Sequence, residues 1–172
     1  SNKPVISKII TDIRKRKDFS IFKKLITDKR LPELFEYFDE EEILFQKLDV
    51  ELSAYNKYRE CIFDLIFKLE EAIIYKVEEL NELQSEIIVK NTKQNIQHEP
   101  YLNWLISKNI INDKTMLFLN TIRNSFSHNQ FPPKSVVEKN ITLTKFGKSI
   151  SEQIIEKYIE EIKNIINKIN LF

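Results

Sequence analysis

Apolar residues recur at helical spacing along nearly the whole chain. Val5, Ile9 and Ile13 step by four, and Phe19, Phe22 and Ile26 repeat the pattern. This period predicts short amphipathic helices in the first third. Pro32 suits the opening turn of a further helix over residues 33–38, where its missing N–H costs nothing. From about residue 39 to residue 90, Leu48, Leu52, Tyr55, Ile62, Leu65, Leu69, Ile73, Val77, Leu80 and Ile87 keep steps of 3, 4 or 7 with no Pro or Gly between them. One very long helix is predicted there. Some 40 residues at helical rise would span roughly 60 Å, longer than a domain of this size, so the helix breaks once or its end projects. The acidic run Asp39-Glu40-Glu41-Glu42 favours a helix N-terminus through the macrodipole. The 3/4 spacing suits a bundle core and a coiled-coil seam equally.

Residues 91–100, NTKQNIQHEP, interrupt the pattern and read as a polar loop. His98 lies in it as an ordinary loop histidine, since no Cys or second His stands at metal-ligand spacing. A short helix follows over residues 101–107, with Leu102, Trp104, Leu105 and Ile106 inward. The next helix, within residues 112–133, is capped by Asn112 or Asp113 and closed by Pro132, which forces Phe131 out of helical conformation. Residues 134–148 form an irregular connection. In it Val136-Val137 and Ile141-Thr142-Leu143 flank Lys139-Asn140 and can form a small β-hairpin near 136–143. Ser149 and Glu152 fit an S-x-x-E capping box. They open a last helix with the stripe Ile150, Ile154, Tyr158, Ile162, Ile165 and Ile169.

Composition narrows the class. The 172 residues contain one glycine and five prolines, too little turn material for a many-stranded sheet. An all-α fold in a single domain over residues 1–172 is expected, with helices of lower definition before residue 45 and the core from residue 46 onward. The net charge of +1 gives no global attraction to nucleic acid. Local clusters remain: Arg14-Lys15-Arg16-Lys17, then Lys23-Lys24 and Lys29-Arg30. The first of these is either a solvated helix end or a phosphate contact. A lone cysteine, Cys61, excludes an internal disulfide and fits a reducing compartment. No apolar run reaches the roughly 18 residues of a membrane span, and no signal segment opens the chain. A cytoplasmic location with no membrane partner is the expectation. The chain opens on Ser1 rather than Met, which fits an excised part of a longer protein with Ser1-Asn2 as a cloning remnant.

The chemistry concentrates in NDKTMLFLNTIRNSFSHNQFPP, residues 112–133. Thr115, Phe118, Leu119, Ile122 and Phe126 form its apolar side. Stepping about 100° per residue from Ile122, Arg123 falls near 100° and His128 near 240°. Asn120, Asn124 and Ser127 lie between them, and Leu117 is the one apolar intruder on this polar arc. Asn and Ser are weak helix residues, and such a local cost without a packing gain points to function. His128 supplies a proton-transfer group, and Arg123 presents a permanently charged fork matched to phosphate oxygens. Together they suit attack of an RNA 2′-hydroxyl on its adjacent phosphate, chemistry that needs neither metal nor cofactor and does not extend to DNA. The alternative is structural: Arg123 bridges a carboxylate and His128 closes the helix C-terminus. Spacing alone leaves both open. One Arg and one His also make only half of an acid–base pair.

Arg123-Asn124-Ser125-Phe126-Ser127-His128 matches R-[polar]-x-x-x-H, the signature of HEPN ribonuclease domains, which are helical bundles. The extended run from Ile122 through Asn129-Gln130-Phe131-Pro132-Pro133 resembles the C-terminal HEPN domain of type VI-B CRISPR effectors, the RNA-guided RNA-targeting nucleases. Tyr55-x-x-x-Arg59 and the closing helix after Lys145 are compatible with that domain. The resemblance implies metal-independent cleavage of single-stranded RNA at a composite site. Arg123 and His128 would form one half, Asn124 would position them, and a second HEPN domain would supply the other half. That domain would come from the same effector or from a second copy, and guide RNA paired with target RNA would bring the halves together. No other Arg in this chain stands five residues before a His. Two further readings remain: a stand-alone, toxin-like HEPN ribonuclease acting as a homodimer, and a non-catalytic helical dimerisation or binding module.

Overall fold

A computed structural model describes residues 33–45, 48–81 and 99–172. Seven helices are present among them: α1 (Leu34–Tyr37), α2 (Glu40–Phe45), α3 (Leu48–Glu79), α4 (Glu99–Ser107), α5 (Asp113–Ser127), α6 (Lys134–Val137) and α7 (Ile150–Asn170). No strand occurs among the described residues, and the fold is all-α with one long helix. The helices expected over residues 5–26, the basic clusters of that region and the loop bearing His98 lie outside the described residues.

The long helical pattern ends early. Asp39 caps α2, its Oδ1 accepting from the Glu42 N–H at 2.7 Å. The helix described from Leu48 runs for 32 residues, about 48 Å at helical rise. It stops well short of residue 90. Asn81 adopts φ 51°, and the left-handed conformation cannot continue a right-handed helix. Leu80, expected on the apolar stripe, is therefore exposed beyond the last turn.

Helices α3 and α7 form the centre of the bundle and run parallel, because their matching ends meet. At one end the Glu51 carboxylate accepts from the Ile150 and Ser151 N–H groups (3.0 and 2.8 Å) and from the Ser151 hydroxyl (2.8 Å). At the other, the Lys76 Nζ donates to the Phe172 carbonyl at 3.1 Å and pairs with Glu79 at 3.1 Å. Between these ends Tyr55, Ile62, Leu69 and Ile73 of α3 are buried, as are Ile154, Tyr158, Ile162 and Ile165 of α7. Helix α5 runs the opposite way. Its start adjoins the end of α7 across a cleft lined by Asn112, Thr115, Asn164 and Lys168, and its end meets Tyr55 and Arg59 near the start of α3.

Helix ends use asparagine where glycine is scarce. Asn81, Asn109 and Asn129 all have positive φ. After α4, the Asn109 N–H bonds to the Ile106 carbonyl and the Ile110 N–H to that of Leu105, both at 2.9 Å. That pair of bonds is a Schellman cap, and asparagine tolerates its left-handed position through its short polar side chain.

The small hairpin near 136–143 does not form. Pro133 opens α6 instead, and Val137 turns inward with no exposed surface. The Ile141 N–H closes a helical turn onto the Val137 carbonyl at 3.0 Å. Gln153 of α7 then holds Thr144 as a strand partner would, accepting its N–H at 2.8 Å and donating to its carbonyl at 2.7 Å. Ser149 caps α7 as expected, with its hydroxyl accepting from the Glu152 N–H at 3.0 Å. The two N–H donors before it, of Ile150 and Ser151, go to Glu51.

Candidate active site at the end of helix α5

Helix α5 has the predicted face and the predicted start. Asn112 is its N-cap and accepts from the Thr115 N–H at 2.9 Å. Phe118, Leu119, Ile122 and Phe126 are fully buried. Asn124 and His128 are exposed, Arg123 and Asn120 half-buried, and Leu117 stands 45% exposed among them. Ser125, which the wheel did not assign to the core, is buried as well.

The last helical residue is Ser127, and His128 occupies the C-cap. Termination comes earlier than Pro132. Asn129 takes φ 53°, the Gln130 N–H reaches back to the Ser125 carbonyl at 2.8 Å, and the Asn129 N–H lies 3.4 Å from that of Phe126. This is a second Schellman cap. The His128 N–H still bonds the Asn124 carbonyl at 3.0 Å, so its side chain leaves from the final turn of the helix.

The turn carrying His128 is gripped by residues remote in sequence. The Tyr55 hydroxyl donates to the Gln130 carbonyl at 2.8 Å, with the Ser125 carbonyl at 3.5 Å. Arg59 donates its Nε–H to the Phe126 carbonyl at 3.0 Å. The Tyr37 hydroxyl donates to the Pro132 carbonyl at 2.7 Å. Rings reinforce these bonds: Tyr55 stacks on Phe126 (centroids 4.6 Å, 15°) and on Phe131 (5.9 Å, 28°), and Tyr37 meets Phe131 edge-on at 5.1 Å. Each such aromatic pair contributes about 0.5–1.5 kcal/mol beyond its burial. Burial pushes the Tyr37 and Tyr55 hydroxyls far above the ordinary phenol range, the Arg59 charge opposing it at Tyr55. Both therefore remain donors at any biological pH.

Arg123 and Asn124 are brought together: an Arg123 Nη donates to the Asn124 Oδ1 at 3.4 Å, a long bond. The Arg123 charge also reaches inward to Tyr158. That hydroxyl is completely buried with no hydrogen-bond partner among the described residues. Desolvation pushes its pKa well up, and Arg123 opposes the shift. The His128 imidazole makes no hydrogen bond with a described residue. No family model, curated protein or solved structure matches the chain.

Two consequences follow for the chemistry. The Ser125 and Phe126 carbonyls in the last turn of α5 are satisfied by Arg59, Tyr55 and the backbone of Asn129 and Gln130, so the His128 side chain is not needed to cap them. An exposed imidazole, a guanidinium and an amide then share one helix end. A polar cleft of about 450 Å³ between the start of α5 and the end of α7 lies about 24 Å along the helix from His128 and does not include this trio. Among the described residues no three His, Cys, Asp or Glu side chains converge as metal ligands. Tyr55 and Arg59 could be read from sequence as an i, i+4 pair on one helix face. Their target, some 70 residues away, could not.

Proposed function

We propose that this chain provides one half of a HEPN-type, metal-independent endoribonuclease site acting on single-stranded RNA, within an RNA-guided effector of the type VI-B kind. The observation that carries the reading is the division of labour at the end of α5. The Ser125 and Phe126 carbonyls are capped by Tyr55, Arg59 and a Schellman turn. His128 is thereby left exposed at the end of the helix that carries the Arg123–Asn124 pair. In the reaction, a base removes the 2′-hydroxyl proton, the O2′–P bond forms, the P–O5′ bond breaks, and an acid returns a proton to the departing oxygen. His128 serves as one of the two proton-transfer groups. Arg123 neutralises the charge that develops on the phosphoryl oxygens, and Asn124 orients Arg123. The second proton-transfer group comes from another HEPN motif.

Leu117 supports the composite arrangement. It is apolar, 45% exposed and on the same arc as Asn124 and His128, where a second domain would cover it. The same exposure favours a second reading, in which two copies of this chain pair their own motifs. Cleavage by the chain alone, rising with the square of its concentration, marks the homodimer. Cleavage that appears only when a second HEPN domain is supplied marks the effector.

Single-stranded RNA in excess EDTA tests the chemistry. With both halves present, Arg123→Ala/His128→Ala should lower cleavage by at least about 100-fold while leaving the unfolding transition in place. Equal, metal-dependent cleavage by the parent and the double variant would sink the proposal.

A further inference from the structure

A helix C-terminus is a poor place to bind a phosphodiester. Its exposed carbonyls carry a partial negative charge that disfavours anions and favours cations. The proposed reaction nevertheless brings a phosphate to His128, the C-cap residue of α5. Something must reverse the sign of that helix end.

Arg59 is placed to do so. It projects from the first half of α3 and is half-buried. Its Nε–H donates to the Phe126 carbonyl at 3.0 Å, two residues before His128. The guanidinium has five donors in a fixed fork. Among the described residues only the Nε–H has a partner, and both Nη groups are uncommitted. Stacking of Tyr55 on Phe126 one helical turn earlier on α3 fixes the base of Arg59 relative to α5. An arginine anchored by Nε to backbone, with its Nη edge open, is preorganised for phosphoryl oxygens.

We infer that Arg59 forms a phosphate-binding subsite beside His128, holding a phosphodiester of single-stranded RNA at the end of α5. This rests on the ribonuclease reading for the identity of the ligand, though not for its anionic chemistry. The anchoring bond neutralises the carbonyl end of the helix, and the Nη groups take the phosphoryl oxygens. The subsite then positions the strand so that Arg123 and His128 meet the scissile linkage from the other side of the turn.

The test uses two probes on the full chain. Inorganic phosphate is titrated while the His128 ring signals are followed by NMR, with His98→Gln used to assign the two histidines. A 2′-O-methyl RNA strand, which cannot be cleaved, is bound over about 50–200 mM salt. The parent chain should show His128 signals that move with phosphate. Arg59→Gln should abolish that movement and reduce the salt dependence of RNA binding by about 0.7 in log–log slope, the value of one phosphate contact on a single strand. Arg59→Lys can still cap the Phe126 carbonyl and keeps the charge but loses the planar fork. It should keep the parent's melting temperature and still weaken the phosphate response, which separates binding from capping. Parent signals indifferent to phosphate, or a phosphate response and salt slope unchanged in both variants, would overturn the subsite. A chain that binds phosphate through Arg59 yet fails to cleave RNA with both halves present refutes the ribonuclease reading and leaves the subsite standing.

Discussion

Glu51 is the most exposed point of failure in the bundle, though it is nearly inaccessible to solvent at 5%. Replacing it with alanine strips the start of α7 of three hydrogen bonds at 2.8–3.0 Å. Ser151 is fully buried and Ile150 nearly so, so water cannot substitute for the carboxylate. Two backbone N–H groups are left unsatisfied, at about 1–3 kcal/mol each, and a favourable anion at a helix N-terminus is lost, worth up to about 2 kcal/mol when partly buried. Relief from burying a carboxylate offsets part of this. A net loss of about 3–4 kcal/mol results, which for a chain of this length lowers the melting temperature by roughly 6–16 °C. Circular dichroism at the helix minimum and urea titration both read it. Glu51→Gln keeps one acceptor oxygen and should fall between the alanine variant and the parent. A loss below about 1 kcal/mol for Glu51→Ala would show that α7 does not depend on α3 for its cap, and with it the parallel pairing inferred from that contact.

Asn129→Gly should leave stability within a few tenths of a kcal/mol, since glycine accepts the left-handed position, whereas Asn129→Val should lower it by about 1–2 kcal/mol or more; chemical denaturation distinguishes the two, and the valine variant should also disturb the His128 ring signals. Alkali should unfold the protein steeply. Burial raises the pKa of Tyr37, Tyr55, Tyr101 (to about 12) and Tyr158 in the folded state, so the unfolded chain releases these protons first. The stabilisation they represent is intact below pH about 10 and is lost as pH rises above it, at up to about 1.4 kcal/mol per pH unit for each fully buried phenol. A melting temperature that stays level from pH 9 to 11 would contradict the burial of these hydroxyls.

Much of the bundle was legible in residue periodicity. The apolar stripes of α3, α5 and α7 are the buried faces, and Asn112 and Ser149 cap the helices they were expected to cap. The polar arc of α5, with Asn124 and His128 outward and Arg123 on its flank, also follows from a 3.6-residue repeat. These features are local. They depend on neighbours within a turn or two, and a sequence states such neighbours directly.

The tertiary structure decided how the ends are finished. A period of 3.6 marks where a helix faces, but its limits depend on which groups satisfy the last carbonyls and first N–H groups. The long pattern expected to run to residue 90 ends at Glu79, because Asn81 turns left-handed. The hairpin near 136–143 gave way to α6 because Val137 had a core to enter and Gln153 took the backbone of Thr144. Glu51, Tyr55, Arg59 and Tyr37 each reach a helix end 67 to 100 residues away. Such partners are chosen by packing, which sequence spacing cannot encode. Arg123 and His128 can be found by reading the chain, whereas the release of His128 from any capping duty appears only when α3 is laid against α5.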